Sequence, residues 1–187
     1  MFLVCYLKRI LYKIIGCLKF GPYIEIEGDP RNIEIGKKSY IEKGVQFRIV
    51  KGTITIGDNC VIRRGVVLST EGGNISIGDE STINPYSVIY GDGDTFIGKG
   101  VRIAAHSVIV PANHNFKDKD IFIKDQGLTK KGISIMDDVW IGAGVTVLDG
   151  VKINKGAVVA AGSVVTKEIP ENALTMGIPA KVVDYRK

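Results

Sequence analysis

Residues 139–165 read VWIGAGVTVLDGVKINKGAVVAAGSVV. In and around this stretch a branched aliphatic recurs every sixth residue: Ile135, Ile141, Val147, Ile153, Val159 and Val165. Neither a helix of period 3.6 nor a strand of period 2 produces that spacing. Blocks of six fit it instead: IGKKSY, IGDNCV, IRRGVV, IGDEST, INPYSV, IGKGVR, IAAHSV, IMDDVW, IGAGVT, VLDGVK, INKGAV and VAAGSV. Their fifth letters are S, C, V, S, S, V, S, V, V, V, A and S, all small or β-branched.

Each block is expected to form a short parallel strand and a corner. The aliphatic points into a core and the small fifth residue fits beside the turn. Glycine at the second or fourth place, with Asp, Asn and Lys nearby, supplies turn chemistry. Three blocks close one turn of a triangular solenoid. Turn starts recur at Ile35, Ile56, Ile77, Ile97 and Ile135, separated first by 21, 21 and 20 residues. The step from Ile97 to Ile135 is 38 residues, one turn plus an excursion beginning at His114 and continuing through NFKDKDIFIKDQGLTKKG. Long excursions from a compact solenoid usually serve function.

The chain of 187 residues carries a net charge of +5, unevenly placed. Residues 1–22 hold Lys8, Arg9, Lys13 and Lys19 with no acid, and the remainder is nearly neutral, which argues against nucleic-acid binding. On a helical wheel, Leu3, Val4, Leu7, Ile10, Leu11, Ile14, Ile15 and Leu18 share one arc opposite the charges. This segment is expected to be an amphipathic helix. It either lies on an anionic membrane leaflet or caps its own oligomer, and it is too interrupted by charge to span a bilayer. Three cysteines without paired spacing suggest a reducing cytoplasm, with Cys60 in a small inward slot. Two histidines are too few for a three-histidine zinc site, and no metal is expected. His106, on a corner in IAAHSV, reads as a solvated turn residue.

These repeats, together with VPANHNF, VWIGAG, AAGSVVTKEIP and GIPAKVV, resemble the hexapeptide-repeat acyltransferases over roughly residues 24–183. The resemblance implies an all-β, left-handed parallel β-helix occupying residues 23–187, with the extruded loop near 113–132. It further implies acetyl-CoA as co-substrate, a homotrimer with sites between subunits, and an acceptor sugar of a surface-polysaccharide pathway. By resemblance to galactoside and maltose acetyltransferases, His114 would be the general base, since an imidazole exchanges protons near neutrality. Asn84 would bind the acceptor, with Asp92 as a weaker acceptor contact. Trp140, Ala143, Ala161, Thr166, Lys167 and Lys181 would line the coenzyme A groove, although Ala143 stands where some relatives have serine. O-acetylation of a sugar hydroxyl is the expected chemistry. N-acetylation of a nucleotide-linked amino sugar and a non-catalytic scaffold are the competing readings.

Overall fold

The computed structural model describes residues 19–187, and side chains from Gly21 onward. The amphipathic segment expected over residues 1–22 lies almost wholly outside the described residues. The described chain winds into a three-sided parallel β-helix of about seven turns. Strands of two or three residues stack into three faces. The first face takes one strand per turn from Lys19–Phe20 through Val158–Val159 and ends in an antiparallel pair, Ala173–Gly177 with Ala180–Tyr185. The second runs from Glu25–Glu27 to Val164–Val165, and the third from Ile33–Ile35 to Lys152–Ile153.

The expected register holds. Ile35, Ile56, Ile77, Ile97, Ile135 and Ile153 are stacked partners up the third face. All twelve block-starting aliphatics are buried, and so are all twelve fifth-position residues. Stacked isoleucines and valines fill the triangular interior, while Ser39, Ser81, Ser87, Ser107 and Ser163 fit where the chain bends. Their hydroxyls are hydrogen-bonded: Ser81 donates to the Gly98 carbonyl at 2.8 Å, and Ser107 to that of Gly142 at 3.0 Å. A buried hydroxyl without such a partner would carry a desolvation cost of about 1–3 kcal/mol.

The two glycine places of the block have different causes. The fourth residue of every block has positive φ, whether glycine or not, as at Gly144 with +66°. Glycine reaches that conformation without the strain a Cβ brings. The second-position glycines are there for close approach. A Cβ on Gly142 would lie 2.5 Å from the backbone nitrogen of Ala161 on the next turn. Turn chemistry therefore accounts for the fourth position and inter-turn clearance for the second.

Candidate functional site

The three corners are not equivalent. Between the first and second faces the connection is four residues in each of the seven turns that have strands on both sides, from 21–24 to 160–163. We refer to it as the smooth corner. Between the second and third faces the connection is four or five residues, except for 110–132. This is the loop corner.

At the loop corner, Asx side chains stitch successive turns together. Asn74 Oδ1 accepts from the Thr53 N–H at 3.0 Å, and Asp94 Oδ1 from that of Asn74 at 2.8 Å. The same device closes the excursion, because Asp149 Oδ1 accepts from the N–H groups of Lys131 and Gly132 at 2.7 and 3.0 Å. Asp149 Oδ2 is buried with no partner among the described residues. The excursion leaves and returns as a short antiparallel pair, Asn113–His114 against Leu128–Thr129. Gln126 braces its interior. Its amide nitrogen donates to the carbonyls of Asp118 and Ile121 at 2.6 and 2.8 Å, and its oxygen accepts from the Asp118 N–H at 3.1 Å. The excursion presents Phe116, Ile121, Phe122 and Ile123 beyond its stem and Leu128 on it, with Phe122 78% exposed.

His114 sits on the stem of this hairpin, opposite Leu128 and exposed. Its ring makes no hydrogen bond among the described residues. Asp92, half-buried at the same corner, pairs with Lys130 at 3.4 Å, an ion pair between the β-helix and the returning strand of the excursion. Thr166 and Lys167 are exposed at this corner on the last turn.

Asn84 lies at the smooth corner. Its amide nitrogen donates to the Ile103 carbonyl at 2.8 Å, the same oxygen that its backbone N–H reaches at 2.9 Å. The side chain thus supports the turn above and leaves its Oδ1 without a partner among the described residues. Ala143 and Ala161 are exposed on the smooth corner two and three turns higher, directly stacked, with the Gly162 N–H donating to the Ala143 carbonyl at 2.8 Å. Trp140 stands on the outer side of the first face, 56% exposed and in register with Arg102. Lys181 is exposed on the final antiparallel pair.

Within one chain, therefore, the structure groups Asn84, Ala143 and Ala161 on one corner and Asp92, His114, Thr166 and Lys167 on another. A full side of the triangle separates them, roughly five residues or about 17 Å of extended chain.

Sequence reasoning passed over a side-chain ladder on the smooth corner. The Tyr86 and His106 rings stack with centroids 5.4 Å apart, and the Arg64 guanidinium lies 5.9 Å from the Tyr86 ring centre. His106 is exposed, but it is a stacked residue, not a merely solvated one. The available signal was that Tyr86 and His106 occupy the same block position in adjacent turns. Below them Glu42 accepts from Arg63 at 2.6 Å and from the Arg64 N–H at 2.9 Å. Burial pushes the Glu42 carboxyl up, but these donors outweigh it and hold the group below its usual range. Cys60 is buried, and the same desolvation pushes its thiol up. Among the described residues no group of three or more His, Cys, Asp or Glu is arranged to hold a metal ion.

Comparison with known proteins agrees with this architecture. Residues 132–167 match the family described as bacterial transferase hexapeptide (six repeats), and residues 49–70 match the hexapeptide repeat of succinyl-transferase. Two segments of the β-helix thus carry repeats similar to those of bacterial hexapeptide transferases. A probable acetyltransferase of Mycobacterium tuberculosis is 31% identical over 94 residues, which is 50% of this chain and 31% of that protein; the chain thus spans only a part of this relative's length. Among solved structures, a serine-to-alanine variant of AntD, an N-acyltransferase from Bacillus cereus in complex with dTDP-4-amino-4,6-dideoxyglucose and coenzyme A, superposes with a TM-score of 0.75. It is 24% identical, with 96% of this chain and 89% of that one covered. The polySia specific acetyltransferase NeuO superposes at 0.55 with 23% identity, covering 92% and 87%. At these identities the structural likeness concerns the fold.

Proposed function

We propose that the protein transfers an acetyl group from acetyl-CoA to a hydroxyl of a sugar or surface-polysaccharide precursor. The observation that carries this reading is the bare upper half of the smooth corner. There Ala143, Gly144, Ala161 and Gly162 are exposed, and no long side chain stands above the backbone. A thin, flexible pantetheine arm can lie against such a strip and hydrogen-bond to its peptides, with Trp140 as one wall. Lys181 at the upper end would hold the phosphates, joined by Thr166 and Lys167 from the loop corner of a neighbouring chain.

His114 would be the general base, because its imidazole is exposed and free of internal partners. It takes the proton of the acceptor hydroxyl as that oxygen attacks the thioester carbonyl carbon. The tetrahedral oxyanion collapses, the carbon–sulfur bond breaks, and the imidazolium returns the proton to the departing thiolate. Asn84 Oδ1 would accept a hydrogen bond from the acceptor, while Asp92, engaged with Lys130, would hold the loop stem. Since Asn84 and His114 occupy different corners, a site using both would form where the loop corner of one chain meets the smooth corner of the next. A homotrimer satisfies that for all three sites. The apolar tip of the excursion would be covered in it.

N-acetylation of an amino sugar on a nucleotide is a second reading, favoured by one feature. Arg64 and Lys43 lie below Asn84 on the smooth corner and form no ion pair among the described residues, so a diphosphate could pair with them. Residues 1–20 would bring the enzyme to the inner face of the cytoplasmic membrane if they bind anionic lipid, which vesicle flotation with and without that segment tests.

The decisive experiment is thiol release from acetyl-CoA with a panel of sugars, nucleotide sugars and glycan extracts, comparing the wild type with His114→Ala. The variant is expected to lose about 10²-fold or more in kcat. Full activity in His114→Ala would exclude the proposed base.

A further inference from the structure

The smooth corner changes character along its length. Its fourth positions, turn by turn, are Tyr23, Gly44, Gly65, Tyr86, His106, Gly144 and Gly162, all with positive φ. Tyr86 and His106 hold +61° and +60°, a conformation that bulky side chains adopt at a cost. The Tyr86 ring is seated over Gly65, with its Cδ1 2.5 Å from where a Cβ on that glycine would be. The His106 imidazole stacks on Tyr86, the planes inclined by only 17°. Above His106 the column is empty, because a Cβ built on Gly144 or on Gly162 meets nothing within 4 Å.

A strip left bare for two turns and closed below by two stacked rings has a floor. We propose that His106, supported by Tyr86, is that floor and sets the length of the acyl group the enzyme transfers. This rests on the proposed function, in which the coenzyme A arm lies along Ala143 and Ala161. Charge orients the arm: Lys181 stands at the upper end, on the final antiparallel pair whose Gly177 N–H donates to the Ser163 hydroxyl of the top turn at 3.1 Å, so the phosphates belong there and the thioester points down toward the imidazole. The acyl chain then ends against the ring face. Each further methylene would have to occupy volume that the ring fills, and the ring is held from beneath by Tyr86. Without the imidazole, the open column would gain one turn, about 4.8 Å.

The test is thiol release by the full chain with acetyl-, propanoyl-, butanoyl- and hexanoyl-CoA, using the wild type, His106→Gly and His106→Asn. Both replacements suit a positive φ, so the fold survives, as thermal melting will verify. The expected result is that kcat/KM for butanoyl-CoA relative to acetyl-CoA rises about tenfold or more in His106→Gly, the discrimination typical of excluded methylenes, and by less in His106→Asn. A merely structural role for His106 would lower all four thioesters together. An unchanged ratio, or equal loss with every thioester, overturns the floor while wild-type turnover of acetyl-CoA leaves the transferase reading standing. No turnover of any thioester by the wild type overturns both.

Discussion

The smooth corner and the loop corner are built from the same repeat and differ in what each lets the chain do. At the smooth corner four residues suffice in every turn, so the peptides form a regular strip whose character depends only on which side chains are present. At the loop corner the second and third faces are joined by four or five residues until 110–132 leaves the solenoid and carries His114 with it. A strip can hold a ligand but cannot reach across it. A hairpin can reach but offers no long groove. Under the proposed function, transfer between two substrates would need both abilities, and a different corner would serve each.

The largest expected effect comes from separating the corners genetically. His114→Ala and Asn84→Ala should each be nearly inactive alone. Co-expressed in equal amounts as a trimer whose sites lie between chains, about a quarter of the sites would unite an intact Asn84 with an intact His114. Thiol release should therefore recover to roughly that fraction of wild type. Should mixing restore nothing although mixed trimers are isolated, the two corners do not share an intermolecular site.

A second contrast lies within the smooth corner, between the two glycine places. Gly144→Ala retains open space around its Cβ and faces only the cost of a left-handed backbone, about 1–2 kcal/mol. Gly142→Ala drives a Cβ into the Ala161 peptide and should force the turns apart, giving a larger drop in denaturation midpoint. Equal midpoints for the two variants would contradict the distinct causes assigned to them.

Much of this was open to inspection in the sequence. The period of six was enough to foresee the parallel solenoid, the stacked register of Ile35, Ile56, Ile77, Ile97 and Ile135, and the burial of each small fifth residue, because all three arise from local spacing. The excursion announced itself as a broken period. The features that escaped notice depend on distance between turns. The stacking of Tyr86 on His106 joins residues 20 apart whose rings meet only once the rise per turn is known. That Asn84 and His114 fall on different corners required counting which face each strand joins. The pairing of Asp92 with Lys130 spans 38 residues and exists only because the excursion folds back on its own stem.

On the loop corner, Gln126→Ala removes three hydrogen bonds that brace the excursion from inside. At about 0.5–1.5 kcal/mol for each net bond, the hairpin should open locally without unfolding the β-helix, since the bonds lie outside its core. Hydrogen exchange should quicken across 115–127 and stay unchanged at the third face. Protection lost throughout the molecule would mean that the excursion is part of the fold and not an appendage to it.

The smallest effect belongs to Glu42 at the lower end of the smooth corner. Its carboxyl is held below the usual range because the donors from Arg63 and the Arg64 N–H outweigh the upward push of burial. A depressed folded-state value means that the native protein binds this proton less readily than the unfolded chain does. The contribution is then fully present above the ordinary carboxylate range, near 4.3, and is lost as pH falls through the lower native value. Arg63 is partly exposed, so solvent screens the pair and its contribution stays within about 1 kcal/mol. Glu42→Gln should consequently lower the melting temperature slightly at pH 7 and converge on wild type as the pH falls through the lowered native value. It should do so without altering the loop corner's hydrogen exchange, because the two corners meet only through the buried core. A difference from wild type that persisted undiminished in acid would show that Glu42 acts through packing and not through its charge.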